Sequence, residues 1–538
     1  MFMDLWIAFA VATIGCITLM PILIKYADRM RLLDIPDARK IHQQAIPRCG
    51  GIAIAFGALL AIFSLLSTGS VAYPLLWGGL IIAVFGLADD IFNLNYKWKF
   101  FGQIIATIYV VSQGIYLHVL PFSGLEDAPV WLSYPLTVLF VIGVTNAVNL
   151  ADGLDGLAAG VMLLTLAFIA LFAVDADGAD IALMALAIGG GLVGFLKFNT
   201  FPAIVFMGDL GSQFIGFMAA YLAILLTQNI NQAMNSALPL LILGLPILDT
   251  VSVMAQRIRM GLSPFMPDKR HIHHKLIKYG LPHQYAVAAI YILQSLFLVA
   301  AAYLRYAQDW QLFGFYIVLF SSVLGGFFIA DLKQWQLNDI SVEQDRRSNQ
   351  LLRKPWLFTF TRQYIELSVI VFLLFLSIAT VYGVNISYKI ELLILGFAIL
   401  ACHFLAYSVQ DIIIRCSVYM GSMLIVYVQT LIPFDQFIID QTTNAFFIIL
   451  FLITWLAVRI TRKSYFVFNT QDLLVFLFIL VAVLLIQIEY LIRSILYLVC
   501  LGYALEYLLQ RDIYKYKLLR ILAFSGMLNI LQLVWILN

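Results

Sequence analysis

The sequence predicts an all-α, polytopic integral membrane protein, on three observations. Of its 538 residues, 63% are hydrophobic and 12% charged, with a mean hydropathy of +0.95, against roughly 25% charged residues in an ordinary globular domain. Apolar runs long enough to cross a bilayer recur along the whole chain. The loops between them alternate between basic and non-basic, the pattern expected when Lys and Arg stay on the cytoplasmic side.

In chain order, spans are expected near residues 4–24, 50–67, 74–88, 101–120, 131–149, 157–174, 181–197, 210–227, 237–255, 285–303 and 312–330, about eleven before residue 331. The first run has no basic n-region ahead of it and is long enough to span, so it is read as a transmembrane helix. One set of alternate loops carries Lys25, Arg29, Arg31, Arg39, Lys40 and Arg48, then Lys97 and Lys99, then Arg257, Arg259, Lys269, Arg270, Lys275 and Lys278. The loops near 68–73, 121–130, 175–180 and 228–236 contain no Lys or Arg. This asymmetry predicts an outer N-terminus and cytoplasmic basic loops. A polar linker over 331–362 separates region 1–330 from a C-terminal region, 363–538, with about six or seven further spans and no constellation of chemical character. The five cysteines show no metal-ligand spacing and are read as packing residues.

Polar residues that face lipid or apolar protein without partners cost several kcal/mol each. Where they cluster, chemistry is expected. The densest cluster is Asn146-Ala-Val-Asn149-Leu-Ala-Asp152-Gly153-Leu-Asp155-Gly156. At about 100° per residue an unbroken helix turns about 900° over this stretch and points its first and last polar groups in opposite directions. Gly153 and Gly156 therefore predict a helix end that opens into a site.

Further candidates lie at predicted cytoplasmic ends. Asp89-Asp90 is a pair of mutually repelling carboxylates followed by Lys97 and Lys99, suited to a cation, a shared proton or a phosphate; a charged helix cap is the plainer alternative. Gly208-Asp209-Leu-Gly211-Ser212 places a carboxylate at a helix start, where it serves as an N-cap or a hard oxygen ligand for Mg²⁺. Asn199 lies near the same face. Asp268-Lys269-Arg270-His271-Ile-His273-His274-Lys275 gathers cations and histidines into a surface suited to a diphosphate, without the cysteines or His-Glu-x-x-His frame that would favour zinc. Asp249 sits inside the cytoplasmic end of its span, where a functional carboxylate, a helix–helix hydrogen bond through Thr250 and a snorkelled carboxylate are the alternatives.

Taken in order, Asp34-x-Pro36-x-x-Arg39-Lys40-x-His42 with Pro47-x-x-Gly50-Gly51, then Asp89-Asp90, Asn146-x-x-Asn149-x-x-Asp152-Gly-x-Asp155-Gly, Gly208-Asp209-x-Gly211-Ser212 and His271-x-His273-His274 resemble the motif series of the polyprenyl-phosphate N-acetylhexosamine-1-phosphate transferases over residues 1–330. The resemblance is strongest to the branch that uses UDP-N-acetylglucosamine to begin surface polysaccharides. His-Ile-His-His departs from the three consecutive histidines of the phospho-muramyl-pentapeptide branch, which is the alternative.

The resemblance implies a Mg²⁺-dependent enzyme, with Mn²⁺ as a substitute, that transfers HexNAc 1-phosphate from a UDP-HexNAc to undecaprenyl phosphate and releases UMP at the inner face of a bacterial inner membrane. It implies Asp209 and Asn149 as metal ligands; Asp89, Asp90 and Lys99 at the lipid phosphate; Arg270, His271, His273 and His274 at the diphosphate; and Asp152, Asp155, Asn199 and Phe206 around uridine. The expected partners are the two substrates and the lipid bilayer, with a homodimer allowed and no nucleic acid. Transport is the rival class, but its sites usually lie at the midplane between repeated halves. Here the candidates cluster at helix ends, and no internal repeat is evident.

Overall fold

The structure, a computed structural model, describes residues 2–34, 45–122, 127–263, 268 and 270–336. Pro36, Arg39, Lys40 and His42 of the first motif, Lys269, most of the polar linker and the whole of 363–538 lie outside these residues. The described chain is almost entirely helical, as the composition predicts. Its long helices are α1 (Phe2–Tyr26), α2 (Gly50–Leu65), α3 (Tyr73–Phe92), α4 (Tyr96–Ser112), α5 (Val130–Ala151), α6 (Leu157–Asp175), α7 (Ala179–Asn199) and α8 (Gly208–Leu225), which runs on as a π-helical turn at Leu226–Ile230. There follow a short α9 (Leu238–Ile242), α10 (Gly244–Arg259), a short α11 (Ile272–Lys278), α12 (His283–Tyr303) and α13 (Asp309–Leu332).

Among the described residues, eight helices are long and apolar enough to cross a membrane: α1, α3, α5, α6, α7, α8 with its π turn, α12 and α13. The other expected spans also hold helices, with different bounds. The run near 101–120 is α4, which begins at Tyr96 because the Asn95 side chain accepts the Lys97 N–H as an N-cap. It ends at Ser112, just before Gly114 takes a left-handed φ of 89°. The run near 237–255 is divided at Leu243 into α9 and α10. Helix α3 continues four residues past its expected end, to Phe92, and so carries Asp89 and Asp90 in its last turn before left-handed Asn93 closes it.

A two-stranded antiparallel ribbon, β1 (Leu33–Asp34) and β2 (Ile46–Pro47), was not expected from the pattern. Two-residue strands are too short to show a period. Arg48 extends the ribbon by donating its N–H to Leu32 O, and its side chain pairs with Asp34 at 3.6 Å.

Helix α8 is the centre of the bundle, buried along its length and packed against α2, α3, α5, α6 and α7. Backbones approach it closely where the sequence supplies small residues, as membrane helices commonly do. A Cβ on Gly86 would fall 2.5 Å from Leu210 Cα, one on Gly216 would fall 2.9 Å from Thr145 Cα, and one on Gly51 would strike the Gly211 backbone. The starts of α2 and α8 also share hydrogen bonds. Gly50 N–H donates to Phe206 O at 3.0 Å and Gly51 N–H to Met207 O at 2.7 Å, so free donors of one helix end meet the carbonyls leading into another. Because the Gly51 contact is backbone on backbone, Gly51→Ala should lower stability by about 1–3 kcal/mol, read as an earlier thermal unfolding midpoint in detergent.

Candidate active site

The first turn of α8 carries the site. Gly208 enters it at φ 77°, and a Cβ there would crowd the Asp90 carboxylate. Asp90, at the end of α3, is buried and accepts the Asp209 N–H on Oδ1 at 2.8 Å and the Leu210 N–H on Oδ2 at 3.0 Å. A carboxylate from one helix thus caps another.

With its backbone held, Asp209 presents a side chain to partners from different helices. Lys99 of α4 lies between two carboxylates, pairing with Asp89 Oδ2 and, at 3.3 Å, with Asp209 Oδ2. Asp89 Oδ1 accepts the Leu94 N–H at 2.9 Å, which fixes it at the turn from α3 into α4. Asn149 of α5 donates its amide to Asp209 Oδ1 at 2.7 Å and to Ser212 Oγ at 2.8 Å. Asp89, Asp90, Lys99, Asn149 and Asp209 therefore form one cluster at one end of the bundle.

One helical turn further into the bundle, the same helices contribute neutral amides. Gln103 of α4 donates to Gln213 Oε1 of α8 at 3.0 Å, and Asn146 of α5 donates to Gln103 Oε1 at 2.8 Å. Asn146 also returns a bond to Ile142 O. Gln103 and Gln213 are buried, so mutual pairing avoids the cost of an unsatisfied amide in a membrane interior. Sequence reading missed both glutamines, although a signal exists: each lies four residues after a site residue, Lys99 or Asp209, on the same helix face.

The break predicted at Gly153 and Gly156 is present, between the end of α5 at Ala151 and the start of α6 at Leu157. Gly156 takes φ 77°. Asp155 Oδ2 accepts the Ala203 N–H at 2.9 Å, and its own N–H donates to His283 Nε2 at 3.1 Å. Gly156 donates to Asn199 Oδ1 at 2.8 Å and accepts from Tyr291 Oη at 2.7 Å. Asn199 is buried, and its amide nitrogen donates to Val205 O, so its side chain braces the break and the segment leading to α8. His283, stacked on Phe201 at 4.4 Å, is a further residue that sequence reading passed over.

Asp152 lies in the break. Burial, reinforced by Asp209, Asp155 and Asp90, pushes its carboxyl up to about 7.

Around the histidine motif, Arg257 of α10 pairs with Asp268 at 2.7 Å and donates from Nε to Ser263 O at 2.6 Å, while Arg270 lies 3.6 Å from the same carboxylate. These contacts hold the ends of the segment between α10 and α11. His273 packs against Gly153 so closely that a Cβ there would strike its Nε2. His271 stacks on it with ring centres 5.8 Å apart, and the His274 ring centre lies 4.2 Å away at a tilt. The motif is thereby joined to the break that carries Asp152 and Asp155. Phe206 enters through its backbone, donating to Pro47 O and accepting from Gly50.

Residues 72–227, which include both the carboxylate cluster and the break, match the family model described as glycosyl transferase family 4. The chain is 36% identical over 317 residues to the probable undecaprenyl-phosphate N-acetylglucosaminyl 1-phosphate transferase of Bacillus subtilis, covering 58% of this chain and 88% of that protein. The chain belongs to glycosyl transferase family 4. It is also 34% identical over 310 residues to the decaprenyl-phosphate N-acetylglucosaminephosphotransferase of Mycolicibacterium smegmatis, with coverage of 51% and 76%. To the undecaprenyl-phosphate alpha-N-acetylglucosaminyl 1-phosphate transferase of Escherichia coli K12 it is 29% identical over 312 residues, with coverage of 55% and 83%.

For a family 4 member, the donor set suits a hard cation. Among the described residues no three His, Cys, Asp or Glu side chains form a complete metal cage. Mg²⁺ does not need one, since it commonly takes one or two protein carboxylates and leaves its other positions to water and substrate phosphates. Asp209 could offer a carboxylate to such a cation, and Asn149, whose amide nitrogen donates to Asp209 and Ser212, could offer its amide oxygen.

The histidines are not uniform cations. Burial, aided by His274 and His271 and opposed by Asp249, pushes the His273 imidazole down to about 3. Between its ordinary value of 6.5 and about 3, the unfolded chain binds a proton that the folded chain refuses, so stability falls as pH falls. Acidification to pH 5 should cost about 2 kcal/mol through this residue. Thermal unfolding of His273→Asn should accordingly shift less between pH 7 and pH 5 than that of wild type.

Proposed function

We propose that this chain transfers N-acetylglucosamine 1-phosphate from UDP-N-acetylglucosamine to undecaprenyl phosphate, giving the lipid-linked sugar diphosphate and UMP. The observation that carries this reading is Lys99 set between Asp89 and Asp209 at the start of α8, with Asn149 on the same carboxylate. The names of the relatives in B. subtilis and E. coli describe the same type of activity.

In the reaction, an oxygen of the lipid phosphate attacks the phosphorus that bears the sugar. A new P–O bond forms, and the bond from that phosphorus to the bridging oxygen breaks, so that the electron pair leaves on UMP. A phosphate monoester has its second pKa at about 6, so the nucleophile is ionised at neutral pH and positioning matters more than deprotonation. Lys99 holds the attacking phosphate, and its pairing with Asp89, which orients the ammonium, supports this role. Asp90 acts through α8, fixing where Asp209 stands.

Asp209 and Asn149 would hold Mg²⁺ or Mn²⁺, which supplies charge neutralisation at the diphosphate. Arg270, His271, His273 and His274 line the diphosphate end; His273 does so as a neutral imidazole. Asp152 and Asp155 take the nucleotide, Phe206 offers its ring to uracil, and Asn199 keeps the break in shape.

The basic-loop asymmetry supports an outer N-terminus and a cytoplasmic site in the bacterial inner membrane. Counting α2, α4 and the α9–α10 pair as spans beside the eight long ones gives eleven for the catalytic region, 1–330. Residues 331–362 form the cytoplasmic linker and 363–538 a further membrane domain.

Purified protein supplied with UDP-N-acetylglucosamine, undecaprenyl phosphate and Mg²⁺ should release UMP; a protein that releases none from any UDP-HexNAc refutes the reading. Asp209→Ala should lower turnover by roughly a thousandfold or more while the protein still folds. Because Asp152 titrates near 7 beside Asp209, Asp155 and Asp90, KM for the UDP-sugar should change through neutral pH. Asp152→Asn should flatten that dependence.

A further inference from the structure

Asp249 has no place in the reaction as written so far. It is buried in α10, two helices away in sequence from the carboxylate cluster. A carboxylate in such a place needs partners for both oxygens, and it has them. Oδ2 lies 2.9 Å from His271 Nδ1, and Oδ1 accepts the Ile272 N–H at 2.8 Å. Thr250, the partner suggested by adjacency in sequence, contributes no hydrogen bond from its buried hydroxyl.

An ionised carboxylate only accepts hydrogen bonds, so its imidazole partner carries a proton on Nδ1. Neutral His271 is then held as one tautomer, with Nε2 as its lone-pair nitrogen. The same carboxylate ties the backbone at Ile272 to α10. From there the contact chain continues: His271 stacks on His273, and His273 rests on Gly153 in the break that carries Asp152 and Asp155.

We propose that Asp249 is a positioning residue for the transfer reaction, fixing the tautomer of His271 and holding the histidine motif in register with the nucleotide-binding break. The inference rests on the proposed reading of the site as a UDP-sugar phosphotransferase. It adds a carboxylate–histidine pair to that site, in which Asp249 touches no substrate and acts through the imidazole.

The test is a double-mutant cycle on the full-length protein, measuring UMP release from UDP-N-acetylglucosamine. Asp249→Asn keeps the shape and an acceptor for Ile272 N–H, but turns an amide donor toward Nδ1 and favours the other tautomer. It should lower kcat/KM by about 10- to 100-fold, on the scale of the loss when the carboxylate partner of a metal-ligating histidine is removed. His271→Gln should cause a loss of similar size, and the double variant should be no worse than His271→Gln alone.

Additive losses, or wild-type kcat/KM in folded Asp249→Asn, would overturn the inference while leaving the transferase reading intact. If Asp249→Asn does not fold, His271→Gln decides from the other side: wild-type kcat/KM in that variant overturns the inference. A wild-type protein that releases no UMP from any UDP-HexNAc overturns the functional reading and this inference together.

Discussion

The capping of α8 by Asp90 is the constraint from which the site follows. The central helix begins with N–H groups that have no partner within their own helix. Asp90 accepts two of these donors, from Asp209 and Leu210. The bond fixes α8 against α3 and sets the direction in which the Asp209 side chain leaves its backbone. Lys99 and Asn149 then have a carboxylate to meet. Adjacent carboxylates therefore divide their work, Asp90 building the frame while Asp89 faces the lysine.

The helical class, the position of most spans and the break after α5 were legible because each rests on a local signal: hydropathy, loop charge, or glycine among polar residues. The division of labour within Asp89-Asp90 was not legible, since neighbouring residues of the same type look alike until α8 is placed against one of them. Asn199 shows the same limit. The family resemblance implies a place for it around uridine, and in the structure its amide is engaged with Gly156 and Val205. The α9–α10 division and the β1–β2 ribbon depend on tertiary contacts and short backbone bonds, which leave no period to read.

The histidine motif extends that contrast. Three histidines in four residues suggest a common positive surface, yet they sit in different environments. His271 meets a carboxylate, while His273 is enclosed between its neighbours and Gly153. The environment of such a cluster is set by packing from the break after α5 and from α10, which sequence spacing does not report.

The paired amides of Gln103, Asn146 and Gln213 give the bundle an electrical property. Beyond them, α4 from residue 104, α5 back to residue 130 and α8 to residue 225 contain no Asp, Glu, Lys, Arg or His. In α8 this neutral stretch is about 18 Å deep at 1.5 Å per residue. These helices act as an insulator, with Lys97 and Lys99 of α4 and Asp209 of α8 gathered at one terminal and an amide seal beneath them. On the proposed reading, a charged headgroup assembled at the Asp209 end finds no Asp, Glu, Lys, Arg or His as a stepping stone along these three stretches.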